Sequence, residues 1–290
     1  MSKTQTITVE GHKIAYQEMG EGTPLLLLHG IPTNKSLWRN VMPTLSEQHR
    51  VIAPDLLNYG ESDMPKNTDV SINAQCKIIS QFMDELGIAK ANIASHDIGG
   101  GIAQLMAVNH PEKVNSLILI DSVCFDSWPI PEFEPLLEPG VEQETSVDEF
   151  VDTLNDFMPK GVYDKSIMTD ELKKQYLKQW SNEQGKAALF NNMRRLNKEY
   201  TQAIAGELKS LKHETLILWG DEDNFQKPKY APQLAQTLPN ATLTWIEKAG
   251  HWVIDEKPER VTSLMGEFLA AQYSMLLLGY RQVDRRLTQL

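Results

Sequence analysis

Asn92-Ile93-Ala94-Ser95-His96-Asp97-Ile98-Gly99-Gly100-Gly101 decides the fold. It reads as a short apolar strand, one acidic residue at a sharp turn, and glycines that open a helix. That is the strand-turn-helix shape of a nucleophile elbow, with a carboxylate where a serine hydroxyl is usual. The substitution changes the chemistry. A serine attacking an acyl group leaves an acyl-enzyme, whereas a carboxylate attacking a saturated carbon leaves an alkyl ester on the protein. Asp is also favoured at helix N-termini, so a capping role for Asp97 stands beside the chemical one.

Outward from this stretch, short apolar runs recur at Leu25–Leu28, Val51–Ala53, Leu117–Ile120, Leu216–Trp219 and Leu243–Ile246, with Ile93–Ser95 among them. Shortness without alternation suits strands buried on both faces of a parallel sheet. Residues 6–16 alternate around Glu10-Gly11-His12, as an edge hairpin would. Between the runs, residues 71–86 place Ile72, Cys76, Ile79, Phe82, Met83 and Leu86 on one helical face, and Gly87 follows as a terminator. Helices are also expected over 101–109 and 258–271. The alternation predicts an α/β fold with a doubly wound, mostly parallel sheet.

From Asp126 to about Leu211 the rhythm changes: Pro129, Pro131, Pro135 and Pro139 break the chain, and helical segments follow without a strand. The expected organisation is a core of residues 1–123 and 212–272, an inserted helical cap of 124–211, and a C-terminal extension of 273–290. The apolar tail Met275–Tyr280 is expected to pack on the parent body.

The 290 residues are 41% hydrophobic, and no apolar run approaches the roughly 18 residues of a spanning helix, so a membrane span is not expected. The N-terminus carries no apolar export core, which points to a cytoplasmic protein. Cys76 and Cys124 are expected as buried, reduced thiols. A net charge of −11, with no basic stripe, argues against nucleic acid as a partner. No His-x-x-x-His or Cys-x-x-Cys spacing suggests a metal, and no Gly-x-Gly-x-x-Gly follows the first strand, so no cofactor is expected. The remaining partner is a small hydrophobic substrate, bound by a monomer or homodimer.

Three residues fall in the order nucleophile, acid, histidine, each just past the carboxyl end of an expected strand: Asp97, Asp223 in Gly220-Asp221-Glu222-Asp223, and His251 in Gly250-His251. With these in place the chain resembles the α/β-hydrolase fold superfamily. It is most similar to the branch of haloalkane dehalogenases and epoxide hydrolases that uses an aspartate nucleophile. The likeness runs from about Gly11 to Ala271, excepting the cap, and includes His29-Gly30-Ile31-Pro32-Thr33, Leu37-Trp38-Arg39-Asn40, Ala53-Pro54-Asp55-Leu56 and Gly60-Glu61-Ser62-Asp63. The resemblance implies that Asp97 attacks carbon, His251 activates water, and Asp223 orients the histidine. It further implies an oxyanion hole from the backbone N–H groups of Ile31 and Ile98. Asp121, after the sixth strand, is the alternative acid. His29 and His96 are expected to stabilise loops, and Asp55 to tie one.

The sequence departs from both sub-families. Halide donors in dehalogenases commonly follow the nucleophile and the His-Gly pair, where this chain has Ile98 and Ile31, whose side chains donate nothing. Trp38, Trp128 and Trp180 are the indoles that remain. Epoxide hydrolases use cap tyrosines; Tyr163, Tyr176 and Tyr200 lie in the cap, but residues 189–194 have none, leaving Asn191 or Asn192. The substrate-binding set expected from this is Trp38, Trp128, Asn192 and Tyr200. Met158, Met168, Met193, Phe157 and Phe190 line either the pocket or the cap's own core. The expected function is hydrolysis of a small hydrophobic electrophile through an aspartyl ester, dehalogenase-like. Epoxide hydrolysis, an esterase or lactonase, and a non-catalytic binding module are the alternatives.

Overall fold

A computed structural model describes residues 3–287, with side-chain surroundings through residue 272. Eight strands form one sheet in the order β1-β2-β4-β3-β5-β6-β7-β8. They are β1 Gln5–Val9, β2 His12–Met19, β3 Thr23–Leu28, β4 His49–Pro54, β5 Ala91–His96, β6 Val114–Ile120, β7 Thr215–Gly220 and β8 Ala241–Ile246. β1 and β2 form the expected hairpin at one edge and join β4 antiparallel; every pairing from β4 through β8 is parallel. Each apolar run lies within a strand, extended by one to three residues where polar neighbours complete the ladder. Leu25–Leu28, Ile93–Ser95 and Leu117–Ile120 are almost wholly removed from solvent, as strands covered on both faces should be.

Helix α1 (Ile72–Glu85) begins where the Ser71 side chain accepts from the backbone N–H of Ala74, and Gly87 follows its end at φ +66°. Helix α2 (Ile98–Asn109) starts three residues earlier than the sequence suggested. Three glycines at a helix start ordinarily weaken it. Here they let the helix approach closely: a Cβ on Gly99 would sit 2.4 Å from the backbone oxygen of Leu28, and one on Gly100 would sit 1.9 Å from Ser122 Oγ. α1 and α2 pack on each other, and α2 on β5 and β6.

Between β6 and β7 the chain is helical, with α3 (Val147–Phe157), α4 (Asp170–Leu177), α5 (Glu183–Arg194) and several short turns. α3 opens on a capping box between Ser146 and Glu149. Phe150 and Phe190 stack at 5.1 Å, and with Met158, Met168 and Met193 they are buried. Helix α6 (Tyr230–Thr237) then covers β7 and β8, and α7 spans Pro258–Leu287, well past the expected end at 271. The anticipated packing of Met275–Tyr280 concerns side chains outside those described. Cys76 and Cys124 are buried, unbridged thiols.

The close approach of α2 to β3 gives a test. Gly99→Ala should lose about 1–3 kcal/mol through backbone overlap. Gly206→Ala, where a Cβ meets nothing within 4 Å, should gain about 0.5–1 kcal/mol. Urea midpoints of the two variants, at unchanged slope, check the pair.

Candidate active site

Parallel strands deliver their carboxyl ends to one edge of the sheet, and three loops there bring Asp97, Asp223 and His251 together. Asp97, between β5 and α2, has φ 52° and ψ −122°, a conformation that a side-chain-bearing residue adopts at a cost of order 1–3 kcal/mol. The surroundings enforce it. The Asp97 carbonyl accepts from the backbone N–H groups of Gly100 (2.9 Å) and Val123 (3.2 Å), and a Cβ on Gly30 would fall 2.4 Å from Asp97 Cβ.

Oδ1 of Asp97 accepts from the backbone N–H of Ile98 at 2.5 Å and of Ile31 at 3.4 Å. Oδ2 lies 3.4 Å from Nε2 of His251. The same carboxylate therefore caps α2 with one oxygen and faces the imidazole with the other. Nδ1 of His251 is 2.9 Å from Oδ2 of Asp223, whose Oδ1 accepts from the backbone N–H groups of Phe225 (2.7 Å) and Gln226 (2.9 Å). Burial opposes charge on His251, but the carboxylate of Asp223, and then that of Asp97, outweigh it and hold the imidazole well above its ordinary value of 6.5.

Asp121, the alternative acid, makes no bond to the imidazole. Its Oδ1 accepts from the backbone N–H of Gly220 at 2.8 Å, and its carboxyl lies within hydrogen-bond reach of that of Asp223. Burial, then the charge of Asp223, pushes its carboxyl well above the usual range. His29 bridges two loops: Nε2 accepts from the backbone N–H of Leu56 at 3.0 Å, which fixes Nδ1 as donor to Gly30 O. His96 contacts the carbonyl of His251 through Nε2 at 2.8 Å, and its ring lies 4.6 Å from that imidazole; burial, then the charge of His251, brings it down to about 3. Asp55 holds the N–H of Lys35, its ammonium, and the N–H of Glu61.

A small cavity opens onto Asp97 and His251. Its wall is chiefly hydrocarbon, from Ile31, Ile98, Val123, Trp128, Phe133, Phe157 and Phe225 among others. The expected substrate-binding set is largely corrected. Trp128 lines the cavity, but its indole N–H donates to Thr201 Oγ1 at 2.8 Å and is already used. Trp38 is buried away from the cavity, and Trp180 donates to the carbonyl of Pro32. Asn192 exchanges hydrogen bonds with Asn58, and Tyr200 stands outside the lining. Tyr176 is held between Arg39 and Asp255, and Tyr163 is half exposed. Of the five cap residues that were open between pocket and core, only Phe157 reaches the cavity.

The polar residue the sequence did not single out is Gln226. It is 1% exposed, lines the cavity, and its Oε1 has no partner. Its position three residues after Asp223, in the loop leaving β7, was the available signal.

Because two carboxylates sustain the imidazolium, Asp97→Asn and Asp223→Asn should each lower the titration midpoint of His251. Asp121→Asn, at a carboxyl that makes no bond to the imidazole and whose neutral form burial favours, should move it far less. Histidine ring NMR across pH reads all three.

A family model described as the alpha/beta hydrolase fold matches residues 23–258. The 2-hydroxymuconate semialdehyde hydrolase of Pseudomonas putida is 30% identical over 274 residues, covering 91% of this chain and 93% of its own. Among solved structures, an alpha/beta hydrolase fold protein from Burkholderia ambifaria superposes with a TM-score of 0.85 at 26% identity, covering 90% of this chain and 96% of that one. A haloalkane dehalogenase from Bradyrhizobium elkani, at 23% identity, has a TM-score of 0.84 over 94% of this chain and 99% of its own, a likeness of fold. The chain belongs to the alpha/beta hydrolase fold family.

Proposed function

We propose that this hydrolase acts on a small hydrophobic electrophile through an alkyl ester of Asp97, in the manner of a haloalkane dehalogenase or epoxide hydrolase. One observation carries the reading: the Asp97 carboxylate has one oxygen between two backbone N–H donors and the other facing the imidazole of a His–Asp pair, beside an apolar cavity.

In the first step a lone pair on Asp97 Oδ2 forms a bond to a saturated carbon, and the bond to the leaving group breaks with its electrons going to that group. Oδ1 becomes the ester carbonyl oxygen without leaving its donors. Esterification also removes one of the negative charges that favour the imidazolium, so the basicity of His251 falls once the ester exists. After giving up its proton to solvent or to an oxyanion leaving group, the neutral imidazole takes a proton from water, and the hydroxide adds to the ester carbonyl carbon. Negative charge collects on Oδ1, where the N–H groups of Ile31 and Ile98 stabilise it. Collapse breaks the bond from that carbon to Oδ2. The alcohol leaves with the proton from His251, and the carboxylic acid left on Asp97 passes its own proton back to the neutral imidazole, which restores the carboxylate and the imidazolium. Asp223 keeps the imidazole oriented and charge-compensated throughout.

The likeness to the Pseudomonas putida semialdehyde hydrolase supports a second reading, water addition to a substrate carbonyl with Asp97 assisting as a base. Attack by a carboxylate on such a carbonyl would give an anhydride instead, a poorer intermediate. Labelled water separates the readings. A single turnover in H2(18)O should place the label in the Asp97 carboxylate; label in the product instead would sink the ester. His251→Gln, mixed with brominated alkanes or styrene oxide, should accumulate an adduct on Asp97 by peptide mass spectrometry.

A further inference from the structure

One buried acid takes no part in the chemistry above. Glu256 ends the short helix Val253–Glu256, is 9% exposed, and spends both carboxylate oxygens on main-chain donors. Oε2 accepts from the N–H of Gly250 at 2.6 Å, and Oε1 from the N–H groups of Tyr163 and Asp164 at 2.9 Å each. The first donor belongs to the loop that carries His251, and the other two to the helical segment above the sheet.

These bonds close a ring around the histidine. The N–H of His251 donates to the carbonyl of Gly161 at 2.6 Å, just ahead of Tyr163, and a Cβ on Gly250 would fall 2.4 Å from that same oxygen. On the far side the carbonyl of His251 accepts from Nε2 of His96 at 2.8 Å. Glycine at 250 and at 161 permits the close approach but gives that main chain little stiffness of its own, so its placement has to be fixed from outside. Glu256 grips both sides of the ring. The imidazole needs such fixing, because Nδ1 must stay 2.9 Å from Asp223 while Nε2 stays 3.4 Å from Asp97.

We infer that Glu256 is a positioning residue: by holding Gly250 to the Tyr163–Asp164 turn it keeps the imidazole of His251 aimed for the hydrolytic half of the reaction. The inference rests on the aspartyl-ester reading of the site. Ester formation asks nothing of this ring, since Asp97 attacks carbon while Ile31 and Ile98 hold its other oxygen. Hydrolysis does, because the imidazole must take a proton from the water whose oxygen bonds to the ester carbon, and a small displacement is costly there. Glu256→Gln keeps the size of the side chain and one acceptor, but turns an amide NH2 toward main-chain N–H groups on one side of the ring.

The two steps are read separately by mixing 1-bromohexane with excess enzyme and quenching at intervals. Bromide release follows ester formation, hexanol follows hydrolysis, and intact mass follows the ester between them. In Glu256→Gln, bromide should appear within about twofold of the wild-type rate, while ester hydrolysis slows about tenfold or more and alkylated protein builds up. A role in stability alone would not divide the steps, because partial unfolding lowers both and leaves their ratio unmoved. Glu256→Asp, which keeps the charge but shortens the reach, should show the same division and takes the place of the amide variant if that one does not fold.

Ester build-up no greater than in the wild type would overturn the inference, as would bromide and hexanol slowing together. His251→Gln is the companion measurement. Absence of an adduct on its Asp97 with both 1-bromohexane and styrene oxide would overturn the ester reading itself, and this inference with it.

Discussion

The site depends on the backbone of Asp97 being held in a conformation that its side chain resists. Relaxing φ from 52° toward the ordinary region would swing the carboxylate out of the reach of Ile31 and Ile98 and away from the imidazole. What prevents this is packing at backbone distance. Gly30 lets the third strand's loop press against Asp97 Cβ, and Gly99 and Gly100 let the helix sit on Leu28 and Ser122. The glycines of the elbow are therefore structural, and the chemistry is a consequence of the structure they permit. A helix N-terminus adds its aligned N–H groups where negative charge rests in the ground state and, in the proposed mechanism, where it gathers again during ester hydrolysis.

Two acids beside one histidine illustrate how surroundings divide labour between identical side chains. Asp223 receives two backbone N–H bonds and faces the imidazole, so its negative charge is well accommodated. Asp121 receives one and lies against the carboxylate of Asp223, so burial, then that neighbouring charge, favours its neutral form. The pair shows why a carboxylate count near a histidine does not by itself name the acid.

Much of this was legible in the sequence because it is written in contiguous stretches. Strands β3 to β8 were runs of apolar residues and β1–β2 an alternating stretch, α1 showed its apolar face and its Gly87 terminator, and the elbow was complete within ten residues. The glycines were read as opening α2 but its start was placed at 101, because the contact that fixes it earlier lies 71 residues from Gly99, at Leu28. The cavity wall was the least legible part. Whether Trp128 offers its N–H depends on Thr201, and whether Asn192 faces a ligand depends on Asn58; neither partner is marked in the chain. Gln226 passed unnoticed for the opposite reason: a lone glutamine in a loop is ordinary until its surroundings prove to be hydrocarbon.

The helical segment above the sheet is fastened to the loops beneath it. Gln179 donates to the carbonyls of Pro32 and Thr33, Trp180 also donates to Pro32, and the N–H of His251 donates to Gly161 at 2.6 Å. Tyr176 joins Arg39 and Asp255 in a buried charged cluster. These ties reach the neighbours of Ile31 and His251 itself, so lifting this flank would draw the N–H of Ile31 away from Asp97 and displace the imidazole with it. The stretch from Pro129 to Phe133 lines the cavity mainly with hydrocarbon. A solute that reaches Asp97 therefore exchanges water for a wall that offers it little but hydrocarbon, and any polar surface it carries there goes largely uncompensated.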